Sequence, residues 1–567
     1  MKTKFLCLVV AMIAVLAMLA SCSFGDTTET PPGGDPEGEP EIKYDVTWQK
    51  TDLVVKLTNH SNSSELTSGC KRYYAGQDTS AFQEIDSNIK TRNQLAQTAA
   101  NVKLKYEYIE DSESKGWGAN INDMVGDVNS GSQNLPDIYC NFAYDMTCAA
   151  LRGCFSNLLK TDYANGNHFR FVDSDYKKVV GPEDYFNSKA GEGYFYQYMR
   201  SLSLTPDTKL YCLASNYTID VMRAFLVMPV NVEIMNGVSV NDSYAGDRDN
   251  DSDHDIEDFY DLVWDGEWNY TALASYCNAV FQSGGDTSKP ETDLSDNRVG
   301  LALGRGSGLT PSALLYTSSV VIFQQNADGS YSYPAENKGL NDFATALNDL
   351  VSNNASKGIC VVDKAAGTAV VPTAKTELDA IRNRFATNNV LFGGTIMVGS
   401  LEDSVYQAMK NNGQGFGIVP VPVYKAGDEY KTLVHNIARI MAISKATSNF
   451  AQCSAFLDYQ SRTSAEILED YYGHQLTAAV GGVAGEQNSK MLTYIRNHVN
   501  NCFDKTFEDA ISQKAGDTDA NASQTRFHGA LMNADYKVSS FSTLYNTVVG
   551  DKSKHLASVW ADWQKLD

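Results

Sequence analysis

The stretch GDRDNDSDHDIEDFYDLVWDGEWNY, residues 246–270, holds Asp247, Asp249, Asp251, Asp253, Asp255 and Asp258. Counted from Asp247 they fall at positions 1, 3, 5, 7, 9 and 12 of a twelve-residue loop. Hard oxygen donors at that spacing can wrap one Ca2+, with position 7 serving through its backbone carbonyl, as in an EF-hand loop. The run IEDFYDLV follows where an exiting helix belongs. Two residues depart from the pattern: Ser252 replaces the turn glycine at position 6, and His254 replaces an aliphatic at position 8. The expectation is a structural Ca2+ that rigidifies an insertion, and the alternative is a solvated acidic turn that binds nothing tightly.

Other spacings that carry chemistry are missing. There is no G-x-S-x-G, no H-E-x-x-H and no phosphate-binding loop; GLALGRGSGLT (300–310) lacks the lysine and reads as a strand plus turn. The eight histidines are scattered without metal-ligand spacing. Beyond Cys7 and Cys22 nine cysteines remain, none in a C-x-x-C pair, and most lie in apolar runs such as DIYCNF and LYCLAS, which suits small core residues. The 69 acids leave a two-carboxylate glycoside hydrolase open as a rival.

The N-terminus sets the compartment. Lys2 and Lys4 precede the apolar run FLCLVVAMIAVLAML, which is short for a spanning helix, and small residues lead to Cys22. Residues 1–21 therefore read as a secretory signal. Leu19-Ala20-Ser21-Cys22 resembles the bacterial lipobox, which implies cleavage before Cys22, acylation of its thiol and a lipid anchor outside the cytoplasm, on the cell membrane. Residues 22–43 are acidic and rich in proline and glycine, a composition that cannot bury enough surface to offset its entropy and so reads as a disordered tether. Removing residues 1–21 takes away two lysines and no acid, so the net charge of −23 becomes −25. That argues against nucleic acid or an anionic membrane as a partner.

From about Tyr44 strand and helix patterns alternate. LVVKL (53–57) reads as a strand, AFQEIDSNIKTRNQLAQTAA (81–100) as an amphipathic helix and VKLKYEYIE (102–110) as a second strand. NINDMVGDVNSG is helical, LPDIYCNF (135–142) is a buried strand, and TCAALRGCFSNLL is a helix. Such alternation argues for an α/β fold with parallel-rich sheets.

Within that series Ser130-Gly131 and Pro136-Asp137-Ile138 follow one another, then RGCFSNLL (152–159), then Lys209 to Leu213. EWNYTAL carries Trp268 and Leu273, GFGIVPVPVY spans 415–424, and ARIMAISKATSNFAQCSAFLDYQSRTSAE spans 438–466. In this order the pieces resemble the family 1 extracellular solute-binding proteins, the lipid-anchored receptors of carbohydrate ABC importers. The resemblance covers the chain to about Glu466 and leaves the last hundred residues only generically helical. The chain is long for the family, and the aspartate stretch and the first loop (58–80) are departures from it.

The resemblance implies a two-lobed periplasmic-binding-protein-like fold of type II, with lobes joined by crossing hinge strands and the ligand held between them. One lobe would hold 44–218 with 397–465, the other 219–396 with 466–567. It implies a monomer without catalysis that takes a sugar or oligosaccharide and meets the permease subunits of an ABC importer. Sugar faces stack on aromatic rings, and amides and carboxylates grip hydroxyls. The expected ligand contacts are Asn141, Tyr144 and Asp145 after the third strand, Asn216 and Tyr217 at the crossover, and Gly399, Ser400 and Asn436 where the chain returns. Trp117 and Trp264 are candidate stacking platforms, Tyr73 and Tyr74 weaker ones, and Trp268 is assigned to packing. The rivals are a lipid-anchored surface glycoside hydrolase and a calcium-stabilised glycan-binding surface protein.

Overall fold

The computed structural model describes residues 44, 52–59, 74–76, 83–110, 117–132, 135–159, 166–169, 194–238, 248, 255–284, 294, 297–305, 308–352, 358–363, 367, 371, 374, 376–476, 485–499, 502–516, 526–538, 541–550 and 552–567. The signal segment, the lipobox cysteine and the tether lie outside them. No helix of the described residues is long and apolar enough to cross a membrane.

The first half of the fold is built on β1 (Leu53–Asn59), α1 (Gln83–Ala99), β2 (Leu104–Glu110), α2 (Ala119–Asn129), β3 (Ile138–Phe142) and α3 (Ala143–Leu151). β1 alternates, with Leu53, Val55 and Leu57 fully buried on one face. It pairs in parallel with β2 through Leu53–Leu104 and with β3 through Val55–Ile138. β3 is buried along its whole length, as a continuous apolar run predicts for a central strand.

The chain then crosses through α4 (Asp220–Arg223) into a second sheet. Its elements include β4 (Leu226–Asn231), α5 (Ile256–Trp264), α6 (Tyr270–Val280), β5 (Val299–Gly304), α7 (Leu309–Tyr316), the hairpin β6 (Gln324–Gln325) and β7 (Tyr331–Ser332), α8 (Lys338–Ser352), β8 (Ile359–Val362), α9 (Glu377–Ala386), β9 (Val390–Phe392), β10 (Ile396–Met397) and β11 (Phe416–Val419). The strand order is β10-β4-β9-β5-β8, with β11 also on β4. α6 approaches β5 so closely that a Cβ on Gly300 would collide with the backbone of Cys277, so glycine is required there. Trp268 is fully buried against Phe259 and Phe392, each at 5.1 Å between ring centres, and its indole N–H donates to the carbonyl of Pro420. It is a packing residue, as expected. Asn269 follows as the cap of α6, its side-chain oxygen accepting from the N–H groups of Thr271 and Ala272.

The chain returns through β12 (Arg439–Ile443), which pairs antiparallel with β3 and completes the first sheet in the order β12-β3-β1-β2. α10 (Phe450–Arg462) packs on α1. The helices that follow include α11 (Gly485–Asn497), lying on β11, then α12 (Phe503–Lys514), α13 (Phe527–Asn533) and α14 (Lys552–Lys565). The eight described cysteines are buried thiols.

Two expected boundaries move. Met397 and Phe416–Val419, placed with the first lobe by the sequence, pair with β4 in the second sheet, and the return falls between Val419 and Arg439. The C-terminal segment, placed with the second lobe, bridges both halves, since α12 touches α3 and α7, and α14 touches α3 and β7. The helix expected to begin at Thr147 begins at Ala143, directly after β3.

The two passages between the sheets run side by side. Leu213 and Met441 exchange both backbone hydrogen bonds, the His435 N–H donates to the Ala224 carbonyl, and the Leu226 N–H donates to that of Leu433. Between them lies Asp220, fully buried, with one carboxylate oxygen 3.2 Å from Arg223 Nη1 and the other 3.0 Å from Arg439 Nη1. Arg439 also donates to Thr58 Oγ1 in the first sheet, and Arg223 donates to both oxygens of Glu402 beside the second. Removing the shared acid strands buried guanidinium groups. Asp220→Ala is therefore expected to lower the unfolding free energy by about 3–5 kcal/mol. Urea unfolding measures it, and a loss no larger than that of a surface aspartate would contradict the assignment.

Candidate ligand-binding site

The structure brings together part of the expected site. Tyr144 opens α3, and its backbone N–H donates 3.1 Å to the carbonyl of Asn436, so these residues from distant segments meet. Trp117 stands edge-on to Tyr144 at 5.4 Å and is partly exposed, consistent with a rim position. Asp145 is fully buried in the same helical turn. The other expected contacts lie elsewhere. Asn141 turns its side-chain oxygen onto the N–H of Phe142. Tyr217 is fully buried, with Arg92 donating to its carbonyl and Tyr74 packed edge-on against its ring. Asn216 is buried beside it. Ser400, with Gly399, is buried in a short 3-10 turn at Val398–Glu402. Tyr74 is a core residue, Trp264 packs on Tyr494, and Tyr73 lies outside the described residues.

What occupies the space between Tyr144 and Asn436 is α12. Asn436 Nδ2 donates 2.6 Å to Asp509 Oδ2, and Arg526 lies over the Tyr144 ring at 5.6 Å. Asp509 also receives Lys505 at 2.7 Å and Arg526 at 3.2 Å. Burial would raise the Asp509 carboxyl, but Lys505 and Arg526 overcome it and hold the group down to about 2. Behind this cluster Tyr316 hydrogen-bonds to Glu508, whose other oxygen accepts from the N–H of Phe527, and His528 lies 3.1 Å from the Tyr316 hydroxyl. The gap left among Tyr144, Asn436 and Asp509 is about 10 Å³, room for one water and no more.

A usable cavity opens next to it, on the other side of Cys502 and Lys505. It measures about 430 Å³, within the range of small-molecule sites. One wall, at Arg200, Ser203 and Pro206, belongs to the segment joined to the first half by the Leu158–Leu210 and Asn157–Leu210 hydrogen bonds. The facing wall comes from the second half, from Tyr316 through Ser318, Ser319 and Phe323 to Gln325 and Tyr331. The floor is Lys431 with Cys502, Phe503, Asp504 and Lys505. Tyr331 and Phe503 face each other at 4.9 Å between ring centres. Asp504 Oδ2 accepts from the Ile322 N–H at 2.9 Å, and burial lifts this carboxyl to about 7. None of these residues was selected from the sequence. They come from five separate segments, and only Lys431, just before a recognised crossing segment, carried a positional signal.

Of the six aspartates of the acidic loop, Asp247, Asp249, Asp251 and Asp253 lie outside the described residues. Asp255 and Asp258 form a capping box on α5: Asp255 Oδ1 accepts from the Glu257 N–H and Asp258 Oδ2 from the Asp255 N–H. Asp258 Oδ1 also accepts from the Arg248 N–H. Positions 9 and 12 thus stand where the helix leaves the loop.

No family model and no curated protein matches the chain. Among solved structures it is similar to the GacH receptor of Streptomyces glaucescens, known unliganded and with acarbose, at 12% identity and a TM-score of 0.45 over 92% of this chain and 100% of that one. It is similar to RafE from Streptococcus pneumoniae, at 12% identity and a TM-score of 0.44 over 91% and 99%. A third is MalE from Bdellovibrio bacteriovorus bound to maltotriose, at 10% identity and a TM-score of 0.43 over 91% and 99%.

The buried cluster makes a prediction about acid. His435 sits beside it, facing Lys505, Asp509 and His528, and burial first, then Lys505, depresses its imidazole to about 3 from 6.5. The unfolded chain therefore binds a proton there that the folded chain refuses, so this group's contribution is complete above pH 6.5 and is lost as pH falls toward 3. The stability gap between wild type and His435→Asn should narrow on acidification from about pH 6.5 to about pH 4, at about 1.4 kcal/mol per pH unit. Chemical unfolding across that range checks it, and a constant gap would show that His435 titrates normally.

Proposed function

We propose that this chain is an extracytoplasmic solute-binding lipoprotein that holds a sugar or short oligosaccharide between its two halves and hands it to an ABC importer. The observation that carries the reading is the 430 Å³ cavity, walled by one segment from each half and floored beside the paired crossing passages. Its lining suits a polyhydroxy ligand. Tyr331, Phe503 and Phe323 offer apolar ring surface, Ser319 and Gln325 can both give and take hydrogen bonds, as sugar hydroxyls require, and Asp504 can accept them, while the hydroxyls of Ser203 and Ser318 donate to the carbonyls of Lys209 and Leu315. The order of motifs along the chain, the secretory signal and the lipobox at Cys22 support anchoring on the membrane and partnership with a permease. The hydrolase reading draws less support, because cleavage of a glycosidic bond uses two carboxyl groups and, among the described residues, the cavity lining contains Asp504 alone.

A thermal-unfolding screen of the mature chain against mono- and oligosaccharides tests the reading. A ligand at about 100 times its dissociation constant should stabilise by about 2.7 kcal/mol without being cleaved. Tyr331→Ala should abolish that shift, measured against the variant's own unliganded transition. Cleaved products would favour the hydrolase.

The acidic loop is proposed to hold one structural Ca2+ through Asp247, Asp249, Asp251, Asp253, Asp255 and Asp258, with the spacing as support. Titration calorimetry of chelator-treated protein should give one Ca2+ per chain, and Asp249→Asn with Asp251→Asn should remove it. The absence of any heat would return the loop to a solvated turn.

A further inference from the structure

The charges around the cavity go beyond a neutral sugar. The chain carries a net charge of −23, yet among the described residues three cationic side chains line this cavity, at Arg200, Lys431 and Lys505, against the single carboxyl of Asp504. Their partners differ. Lys505 is matched by Asp509, which lies behind the cavity wall and is shared with Arg526. Arg200 is paired at 2.8 Å with Asp207, which is largely exposed. Among the described residues the Lys431 ammonium has one hydrogen-bond partner, the hydroxyl of Ser319 at 3.5 Å. Asp504 does not offset it fully at neutral pH, since burial keeps a proton on much of its population and one oxygen is already turned to the Ile322 N–H.

A neutral sugar entering here would strip water from Lys431 and return only a hydroxyl to it, whereas an anionic group would form a charge-assisted hydrogen bond. Tyr331 and Phe503, in the same lining with 4.9 Å between ring centres, still offer apolar surface to a flat, hydroxylated body. We propose that the ligand of this cavity is an acidic saccharide, a sugar unit bearing a carboxylate or a sulfate, whose anion sits between Lys431 and Ser319 with Arg200 beside it. The inference rests on the saccharide reading of the same cavity.

Titration calorimetry on the mature chain separates the two. The probes are glucuronate and galacturonate with their short oligomers, the matching neutral glucose and galactose series, and the 6-sulfated hexoses. An acidic ligand is expected to bind at least about tenfold more tightly than its neutral counterpart, and to weaken as salt is raised from about 0.05 M to about 0.5 M. Which of the uronate and sulfate series binds identifies the anion. Lys431→Gln should lower the affinity for the acidic ligand about tenfold and flatten its salt dependence, and Lys431→Arg should restore most of both. Neutral sugars binding as tightly as acidic ones, or a Lys431→Gln variant with wild-type affinity, would overturn the proposal and leave the saccharide reading standing. No binding by any of the three series would overturn both. Circular dichroism and the thermal midpoint of each variant guard against misfolding, which a partly exposed lysine with one long hydrogen bond is not expected to cause.

Discussion

A single buried carboxylate, Asp220, organises the junction on which both halves depend. Isolated in the interior it would be prohibitively costly, and so would the two guanidinium groups that meet it. Held together, they satisfy one another and fix four parts of the chain: α4 through Arg223, β12 and β1 through Arg439 and Thr58, and the turn after β10 through Glu402. The apolar strands around this point could pack in several arrangements with similar area, because hydrophobic burial is not directional. The ion cluster tolerates only one. Where two passages run alongside each other and share backbone hydrogen bonds, any relative motion of the halves must be absorbed close to this cluster.

The second buried charge group, around Asp509, changes what the space between the halves can be. Two cations, a carboxamide and a tyrosine ring converge on one carboxylate, and burial without those partners would have raised rather than lowered it. The C-terminal helices therefore fill the gap beside Tyr144 and displace the available volume toward Lys431. α14 continues this bridging. Lys209 donates to the carbonyl of Trp563 and to that of Leu566 at its end, while the Trp563 indole N–H donates to Thr205. These contacts reach the same segment that supplies Arg200, Ser203 and Pro206 to the cavity, so its wall is braced from outside.

Much of the fold was legible because it rests on periodicity. β1, α1, β2, β3, β12 and α10 fall within a few residues of their sequence patterns, and Trp268 in front of an asparagine cap announced a packed helix start. Pairing is different. Phe416–Val419 is a four-residue apolar run, and nothing in such a run says whether its backbone groups find β4 or a strand of the other sheet, so its half was misassigned. The site suffered for a related reason. Lys505 and Asp509 stand four apart on an amphipathic helix, a pattern that in sequence reads as a solvated ion pair; only the approach of Arg526, Asn436 and Tyr144 makes it a buried one. Tyr217 and Ser400 were plausible by position and proved to be core, since a hydroxyl in sequence does not reveal which way it faces. The meeting of Tyr144 with Asn436 was foreseeable only through the resemblance that placed both at one cleft.

The cavity's composition bears on how binding could be converted into a signal. A ligand shifts a conformational equilibrium only by the difference in its free energy of interaction with the two states. Contacts to one wall are the same whether the halves are apart or together, and contribute affinity without closure. Here the wall at Arg200 and Ser203 is tied to the first half, that from Ser318 to Tyr331 belongs to the second, and Lys431 leads into the returning passage. A flat polar molecule in contact with Tyr331, Phe503 and Arg200 together makes its full set of contacts only when the segments that carry them are close. Of the charged groups Arg200 lies on the first half, Lys431 on the returning passage, and Asp504 and Lys505 on α12, while Ser318, Ser319 and Tyr331 lie on the second half. Closure driven by such a ligand would thus depend on the anion and the sugar body jointly, each anchoring a different part of the chain.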